Sequence, residues 1–415
     1  MSKLNLLFVT LLSTQLFAQT LSLDDAITKA IDTHPDIKRF IAQVHKSNRA
    51  VDVAKADYLP QINFNAEYDP TRTYVLPANG VFNTKDSDGY ILGVTLHQKI
   101  WDFSKTSANI DVQEKNIEIS KLSLEDAKAY LAYKVKLQYE LISVQRLAMQ
   151  VRQKDLQAKE ALYKQAQAFV EQGMKTSADA TRFLSSYYVA KDNYAIARSG
   201  FDKARNTLAI YINEEVSNDV ILDKSKDLTL ENLSEEAILN DSLSLKLLQQ
   251  SVKKSSYEYK STKALHYGSL DAIASYTYQN TLSEYDSSLL GITFNIPLYS
   301  GGRTSAQVEQ AEINRQSSQA EYDSKVLALK EEIQSLLIDI NRFEKTISAK
   351  KAQLDAATQT SDLLDARYKE GLATYIEVLD ASALKLDAEL GLLNAKYSRN
   401  SAIFKLEYLQ GKIND

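Results

Sequence analysis

Between Ser104 and Gly173 the chain contains no glycine and no proline, and the same holds between Arg303 and Gly371. These two residue types most often interrupt a helix. Each stretch can therefore run as one helix of about 70 residues and about 100 Å, against a globular average of about 11 to 12 residues. In the second stretch Val326, Ile333, Ile340, Ile347 and Leu354 recur at a spacing of seven, with Leu329, Leu336 and Phe343 three places after the first three. That is an a/d seam, and a strict period of seven demands left-handed supercoiling against another helix. Helices of this length build something long rather than wrapping a compact core.

The seam occurs twice. Shifted back by 198 positions it becomes Val135, Ile142, Met149 and Leu156, with Leu131 kept while Gln138 and Gln145 replace two apolar residues. The same 198-residue shift aligns Gly93 with Gly291, Thr95 with Thr293, and Thr106, Ser107, Ala108 with Thr304, Ser305, Ala306. An internal duplication accounts for all of these. Upstream the shift grows to about 210, and the extra residues fall in "DPTRTYVLPANGVFNTKDSDGY" after Tyr68. Its Pro, Gly, Asn and Asp content predicts a surface loop.

Each long helix stops at a lone glycine, Gly173 or Gly371, suited to the left-handed position that ends helices. A threonine follows three residues later and an acid three after that: Thr176 with Asp179, and Thr374 with Glu377. This capping-box spacing starts a new helix. Each copy therefore predicts a tight helical hairpin whose second arm runs to about Asn213 or about Gln410.

Four segments alternate with a period of two, placing strands at about 60–70, 89–101, 269–279 and 288–299. Ile62, Phe64, Ala66 and Tyr68 alternate with polar residues, as do Leu92, Val94 and Leu96, and Leu290, Ile292, Phe294 and Ile296. In a soluble sandwich the apolar face would be core; in an outer-membrane barrel it would face lipid, with about ten residues per strand and an aromatic girdle. Tyr68, Tyr278, Tyr299 and Trp101 near the strand ends favour the barrel.

The N-terminal stretch, with Lys3, an apolar run from Leu4 to Leu12 and small or polar residues before Ala18, reads as a secretory signal peptide over 1–18, with a buried N-terminal helix as the alternative. The chain has no cysteine, so disulfides, thiolate metal sites and a lipidated cysteine are excluded. Of 49 basic side chains one, Lys3, lies in the leader, leaving 48 against 54 acidic, a formal charge of −6. No basic face points to nucleic acid. His34, His45, His97 and His266 lack metal-ligand spacing, and no phosphate loop, nucleophile elbow or dinucleotide fingerprint occurs. Neither a catalytic centre nor a cofactor is expected.

Four strands cannot close a membrane barrel, which needs at least about eight, and a lone sheet in lipid leaves edge amides unpaired at several kcal/mol each. The chain must associate through its sheet. Two copies give eight strands, too narrow for a lumen, and three give twelve, the smallest multiple that leaves a water-filled passage. The expected fold class is an α+β membrane protein: a trimeric, internally duplicated assembly with a 12-stranded transmembrane β-barrel, four strands per chain, carrying long coiled-coil α-helices.

The opening "LSLDDAITKAIDTHPDIK", then "ADYLPQINFNAEY" leading into a strand, "FNIPLYSGGR" joining strand to helix, and "YKEGLATYIEVLDASALKLDAEL" at the second hairpin together resemble the TolC family of outer-membrane efflux proteins over essentially the whole mature chain. The resemblance implies a homotrimer in outer-membrane lipid whose barrel is continuous with a long coiled-coil α-helical periplasmic tunnel, docking on a periplasmic adaptor and an inner-membrane pump of a tripartite efflux or type I secretion system. The duplication sets the expected repeats at 19–213 and 233–415, joined by a linker at 214–232. Pro60 and Pro297 match the family's prolines where helix and strand meet, with Gly301 and Gly302 at the same junction; the first copy has Lys99 in place of Pro297 and "IWDFSK" in place of "LYSGGR". The hairpin tips, Gly173 with Met174 and Gly371 with Leu372, match the family's adaptor-contact motifs. Glu377 and Asp380 match the acidic pair that narrows the periplasmic mouth, Asp179 the acid on the first hairpin, and Tyr368 a latch tyrosine, whereas Ala373 stands where the latch often has arginine.

Two other classes compete. A periplasmic adaptor or coiled-coil scaffold would share the leader and a helical hairpin, without four lipid-type strands or duplicated hairpins. A secreted enzyme would need a catalytic constellation.

Overall fold

The computed structural model describes residues 20–78, 80–217, 221–222 and 234–413; the expected signal peptide at 1–18 and most of the 214–232 linker lie outside these. The elements follow in the order β1 (Thr20–Leu21), α1 (Leu23–Thr33), α2 (Pro35–Ala56), β2 (Gln61–Ala78), β3 (Val81–Trp101), α3 (Lys105–Glu171), α4 (Ser177–Ile212), β4 (Ile221–Leu222), α5 (Glu235–Asp241), α6 (Leu243–Lys263), β5 (Ser269–Asn280), β6 (Glu284–Asn295), α7 (Arg303–Lys369) and α8 (Tyr375–Gln410). A 3-10 turn, Ala264–His266, leads from α6 toward β5. Helices α3 and α7 are each 67 residues long. The chain forms two compact units, one of residues 1–37, 128–240 and 331–415, the other of 38–127 and 241–330. Each unit draws on both copies of the duplication.

The second unit holds an antiparallel sheet in the order β2-β3-β5-β6. Its register sets Phe64 opposite Val94, Val94 opposite Tyr276, and Ala272 opposite Ile292. Directly opposed residues share a face, so Ile62, Phe64, Val94, Tyr276, Leu290, Ile292 and Phe294 form one apolar row across four strands, and each of these side chains is exposed. The opposite face carries Asn63, Thr95, Thr277 and Thr293.

The segment after Tyr68 is not the expected loop. Beyond an irregularity between Asp69 and Arg72, β2 and β3 continue to pair from Arg72↔Ser87 to Ala78↔Val81. Thr71, Thr73, Tyr74 and Val75 are strong strand formers and outweigh the neighbouring Pro and Asp. Pro70 lies in the irregularity, and Pro77 lies on β2, an edge strand, where a missing amide breaks no ladder bond. The last strand also differs from its expected span: β6 begins at Glu284 and ends at Asn295, so Pro297 and Tyr299 lie beyond it.

In the first unit the predicted seam is internal. Leu131, Val135, Ile142, Ile333 and Ile340 are buried. Gln138, at an apolar position of the repeat, donates to the Ala204 carbonyl at 2.7 Å, which satisfies a side chain that would otherwise be costly to bury. A row of small residues in α8, Ala381, Ala388, Ala395 and Ala402, recurs every seven positions and is buried; the absence of bulk lets neighbouring helices approach. Ion pairs then cross from α7 to α8: Lys405–Glu332 at 3.1 Å, Arg399–Glu344 at 3.3 Å and Lys385–Asp362 at 3.2 Å. From α3 to α8, Lys136 reaches Glu407 at 2.7 Å with both side chains largely buried.

Candidate functional site

Both hairpin tips are built by backbone geometry. Gly173 has φ 71° and Gly371 φ 74°, the left-handed conformation that a side chain disfavours. The Met174 amide returns to the Phe169 carbonyl at 2.9 Å, and the Leu372 amide to the Arg367 carbonyl at 2.8 Å. Arg367 also donates from its guanidinium to the Leu372 carbonyl at 3.3 Å. With the backbone satisfied, the tips present Met174 at 55% and Leu372 at 67% exposure, apolar side chains held out on tight turns.

Beyond each tip a capping box starts the return helix. Thr176 caps α4, with its amide donating to Asp179 at 3.2 Å and the Asp179 amide donating to its hydroxyl at 3.4 Å. The same arrangement joins Thr374 and Glu377 in α8, at 2.7 and 3.3 Å. Glu377 is held below the usual carboxylate range first by the Thr374 backbone N–H and then by its hydroxyl. Asp380, three residues on in α8, is exposed on the same helix face. The two acids are thus brought together by helical spacing alone, and Glu377 also serves as a cap.

Tyr368 sits elsewhere than a free latch would. Its side chain is 1% exposed, in a cluster with Leu162, Ala166, Phe183, Ala373 and Val378 that ties the first hairpin to the second. Its ring lies 5.5 Å from Phe183 and 6.0 Å from Phe169, with the Lys175 ammonium 5.8 Å from its centroid. The hydroxyl has no hydrogen-bond partner among the described residues; burial, then the charge of Asp179, raises its pKa. Ala373, at the position where the resembled family's latch often has arginine, is part of the same buried cluster.

Farther along the hairpins is a polar site that sequence reasoning missed. Lys159 in α3 is buried, donating to Ser382 in α8 at 2.7 Å, with Asp155 at 3.9 Å. Beside it a groove of about 270 Å³ is lined by Asp155, Ser361, Asp365, Ser382 and Glu389, among others. Burial dominates the titration here, raising Asp155 and Asp365 and lowering Lys159. The missed signal was available: Lys159 continues the row of Gln138, Gln145 and Arg152 at seven-residue steps, an unbroken polar line where the second copy carries Leu336, Phe343, Lys350 and Ala357.

At the strand–helix junction of the other unit, Gly301 and Gly302 have φ 62° and 80°. Pro297 lies between the end of β6 and this turn, and Pro60 immediately precedes β2. In the first copy the same turn uses Phe103 and Ser104, at φ 53° and 71°, so the departure in sequence leaves the backbone path unchanged. Gly268 was not anticipated: it has φ 82°, and a Cβ there would lie 1.9 Å from the Asn295 carbonyl oxygen.

The sequence profile of the family described as outer membrane efflux protein matches residues 26–214 and 234–412. The outer membrane protein TolC of Salmonella enteritidis is 24% identical over 92% of this chain and 80% of its own length, and the proteases secretion protein PrtF of Dickeya chrysanthemi is 23% identical over 96% and 90%. The crystal structure of the outer membrane protein VceC of Vibrio cholerae superposes with a TM-score of 0.81 at 16% identity, covering 94% of this chain and 96% of that one. A profile matching both copies, with the duplicated hairpins and the four-stranded sheet, excludes an adaptor or an enzyme. The chain therefore belongs to the outer membrane efflux protein family and is an outer-membrane channel of an efflux or type I secretion system.

Proposed function

We propose that three copies of the chain close through the free edges of β2 and β6 into a twelve-stranded barrel, and that the helical hairpins form the periplasmic passage behind it. The observation that carries this reading is the sheet itself: four strands with an exposed apolar row on one face and polar residues on the other. An apolar row suits lipid, but the two edges do not, because unpaired amides there cost several kcal/mol each. Pairing β6 of one copy with β2 of the next removes every edge at once. A membrane fraction that yields trimers in detergent supports this closure; recovery of the exported chain as a soluble monomer overturns it.

The finer assignments belong to the same reading. The tips at Gly173, Met174, Gly371 and Leu372 serve as the contact for a periplasmic adaptor that in turn engages an inner-membrane pump; exposed apolar side chains on rigid turns suit such a contact. Glu377 and Asp380 act as the gate acids, because threefold symmetry repeats them as six carboxylates around one mouth, a ring that attracts cations and repels anions. Asp179 and Tyr368 complete the gate by a different route from a surface latch: Tyr368 anchors one hairpin to the other through its ring, so moving the hairpins apart exposes a buried aromatic. Pro60, Pro297, Gly301 and Gly302 turn the chain from barrel to passage. The repeats at 19–213 and 233–415, with the 214–232 linker between them, are the units that alternate around this passage.

A further inference from the structure

The β2–β3 ribbon runs past the rest of the sheet. Strand β3 pairs with β5 only from Tyr90 onward, Tyr90 facing Asn280, whereas β2 and β3 pair with each other as far as Ala78↔Val81. From Arg72 to its turn the ribbon is two-stranded and about 20 Å long at about 3.3 Å per residue. An isolated two-stranded ribbon is marginal in water. Its shaft carries a polar brace, Arg72 to Asp69 at 3.1 Å and Thr73 to Asp86 at 2.7 Å. Its tip does not: Val75, Leu76, Val81 and Phe82 are exposed, Val81 at 61% and Phe82 at 75%. A ribbon edge ending in bare apolar side chains invites association and is normally blunted by charge.

We propose that the tips of this ribbon from the three copies pack against one another over the outer mouth of the barrel, a proposal that rests on the trimer reading above. The ribbon continues β2, the strand at the proposed contact between copies, where the adjoining β5–β6 turn of the next copy is short, so the space over the mouth is left to the three ribbons. The helices join the sheet at the opposite end of these strands, which puts the ribbon on the side away from them. Twelve strands about 4.8 Å apart and tilted about 40° give a barrel radius of about 12 Å, so a ribbon of about 20 Å reaches the axis. The irregularity between Asp69 and Arg72 supplies the bend, as a β-bulge does. At its base Gly89 leaves no room for a Cβ, which would lie 2.7 Å from the Asn280 carbonyl oxygen; that fixes where the ribbon leaves the sheet. The duplicated hairpin of β5 and β6 turns within Thr281–Ser283 and carries no such extension, so each trimer has three such tips, one from each copy.

The chain has no cysteine, so a Val81→Cys or Phe82→Cys variant carries one thiol. Each is purified in detergent, its mass measured by light scattering, and treated with a short bismaleimide. The expected result is a trimer in which a cross-linked dimer becomes a major band for at least one variant, and loss of that band when Leu76→Asp is added. A trimer that yields no cross-link with either variant overturns the ribbon proposal and leaves the barrel standing; a monomer overturns the trimer reading itself. An environment-sensitive dye on the thiol of the Phe82→Cys variant whose emission shifts to that of lipid, without cross-linking, assigns the tip to the membrane surface and also overturns the proposal.

Discussion

Phe103 and Gly301, 198 positions apart, occupy the same left-handed backbone conformation, at φ 53° and 62°. Ser104 and Gly302 repeat the relation at 71° and 80°. One copy enters its long helix through glycines and the other through residues that resist the required angle. Phe103 has a compensation, since its ring packs 5.4 Å from Tyr267 and 6.2 Å from Trp101. Ser104 contributes through its backbone, its carbonyl accepting from the Ala108 amide at 2.9 Å. A non-glycine residue in this conformation costs of order 1 kcal/mol. Ser104→Gly is therefore expected to raise the unfolding midpoint by a gain of about 1 kcal/mol, and Gly302→Val to lower it by at least as much; thermal melts of the detergent-solubilised protein compare them.

The apolar row across the sheet predicts an asymmetry between neighbours. Arginine in place of Ile292 puts a charge on the lipid side and is expected to cost about 2 to 4 kcal/mol and impair assembly. Arginine in place of Thr293, on the other face, is expected to assemble normally. Heat-resistant trimer on gels reads both, and equal tolerance would reverse the assignment of faces.

For the two acids proposed to ring the mouth, Glu377→Ala combined with Asp380→Ala is expected to leave the trimer intact while reducing cation preference and block by multivalent cations applied from the periplasmic side. Planar-bilayer recordings measure both. The cap lost at Glu377 acts in a definite pH window: its folded pKa lies below the ordinary 4.5, so its stabilisation is present above that value and fades as pH falls through the folded pKa. Selectivity and block unchanged in the double variant reduce the pair to helix caps.

A different pH dependence follows at Lys159. Burial raises Asp365 against the pull of the Lys159 charge, so the folded chain takes up a proton there more readily than the unfolded one. The cost of the charged form is present above the folded pKa and relieved as pH falls toward the unfolded value of 3.8; Asp155 acts in the same direction, whereas Lys159, lowered by burial, gains as pH rises through its folded pKa. Asp365→Asn imitates the protonated form. It is expected to melt higher than the parent near pH 7, with the difference closing by about pH 4. A variant that melts lower near pH 7 means the Lys159 contact outweighs the desolvation.

Docking is tested at Leu372, whose exposed side chain carries none of the tip's backbone bonds. Leu372→Asp is expected to fold and assemble as the parent does but to lose efflux, and to lose co-purification with a periplasmic adaptor that the parent retains. Full efflux by a correctly assembled variant would falsify the docking role and leave the tip as a turn.

The long helices, their ends and their caps were legible from the sequence because each depends on neighbours three to seven residues apart: glycine-free runs, Thr176 with Asp179, Thr374 with Glu377, and a seam at steps of seven. The alternation of the strands was legible for the same reason, and the equal spacing of the copies set the two junction turns in correspondence even where Phe103 and Ser104 replace glycines. Tertiary structure decided the rest. Whether Asp69 to Tyr90 loops or pairs depends on the partner strand returning in register, which outweighed the local signals of Pro70, Pro77 and Gly89. The burial of Tyr368 needs Phe183 from the other copy's hairpin. Lys159 meets Ser382 across more than two hundred positions of chain, where the energy of burying a charge is set by the side chains that three separate helices bring to it, and no local pattern in any one of those helices specifies the other two.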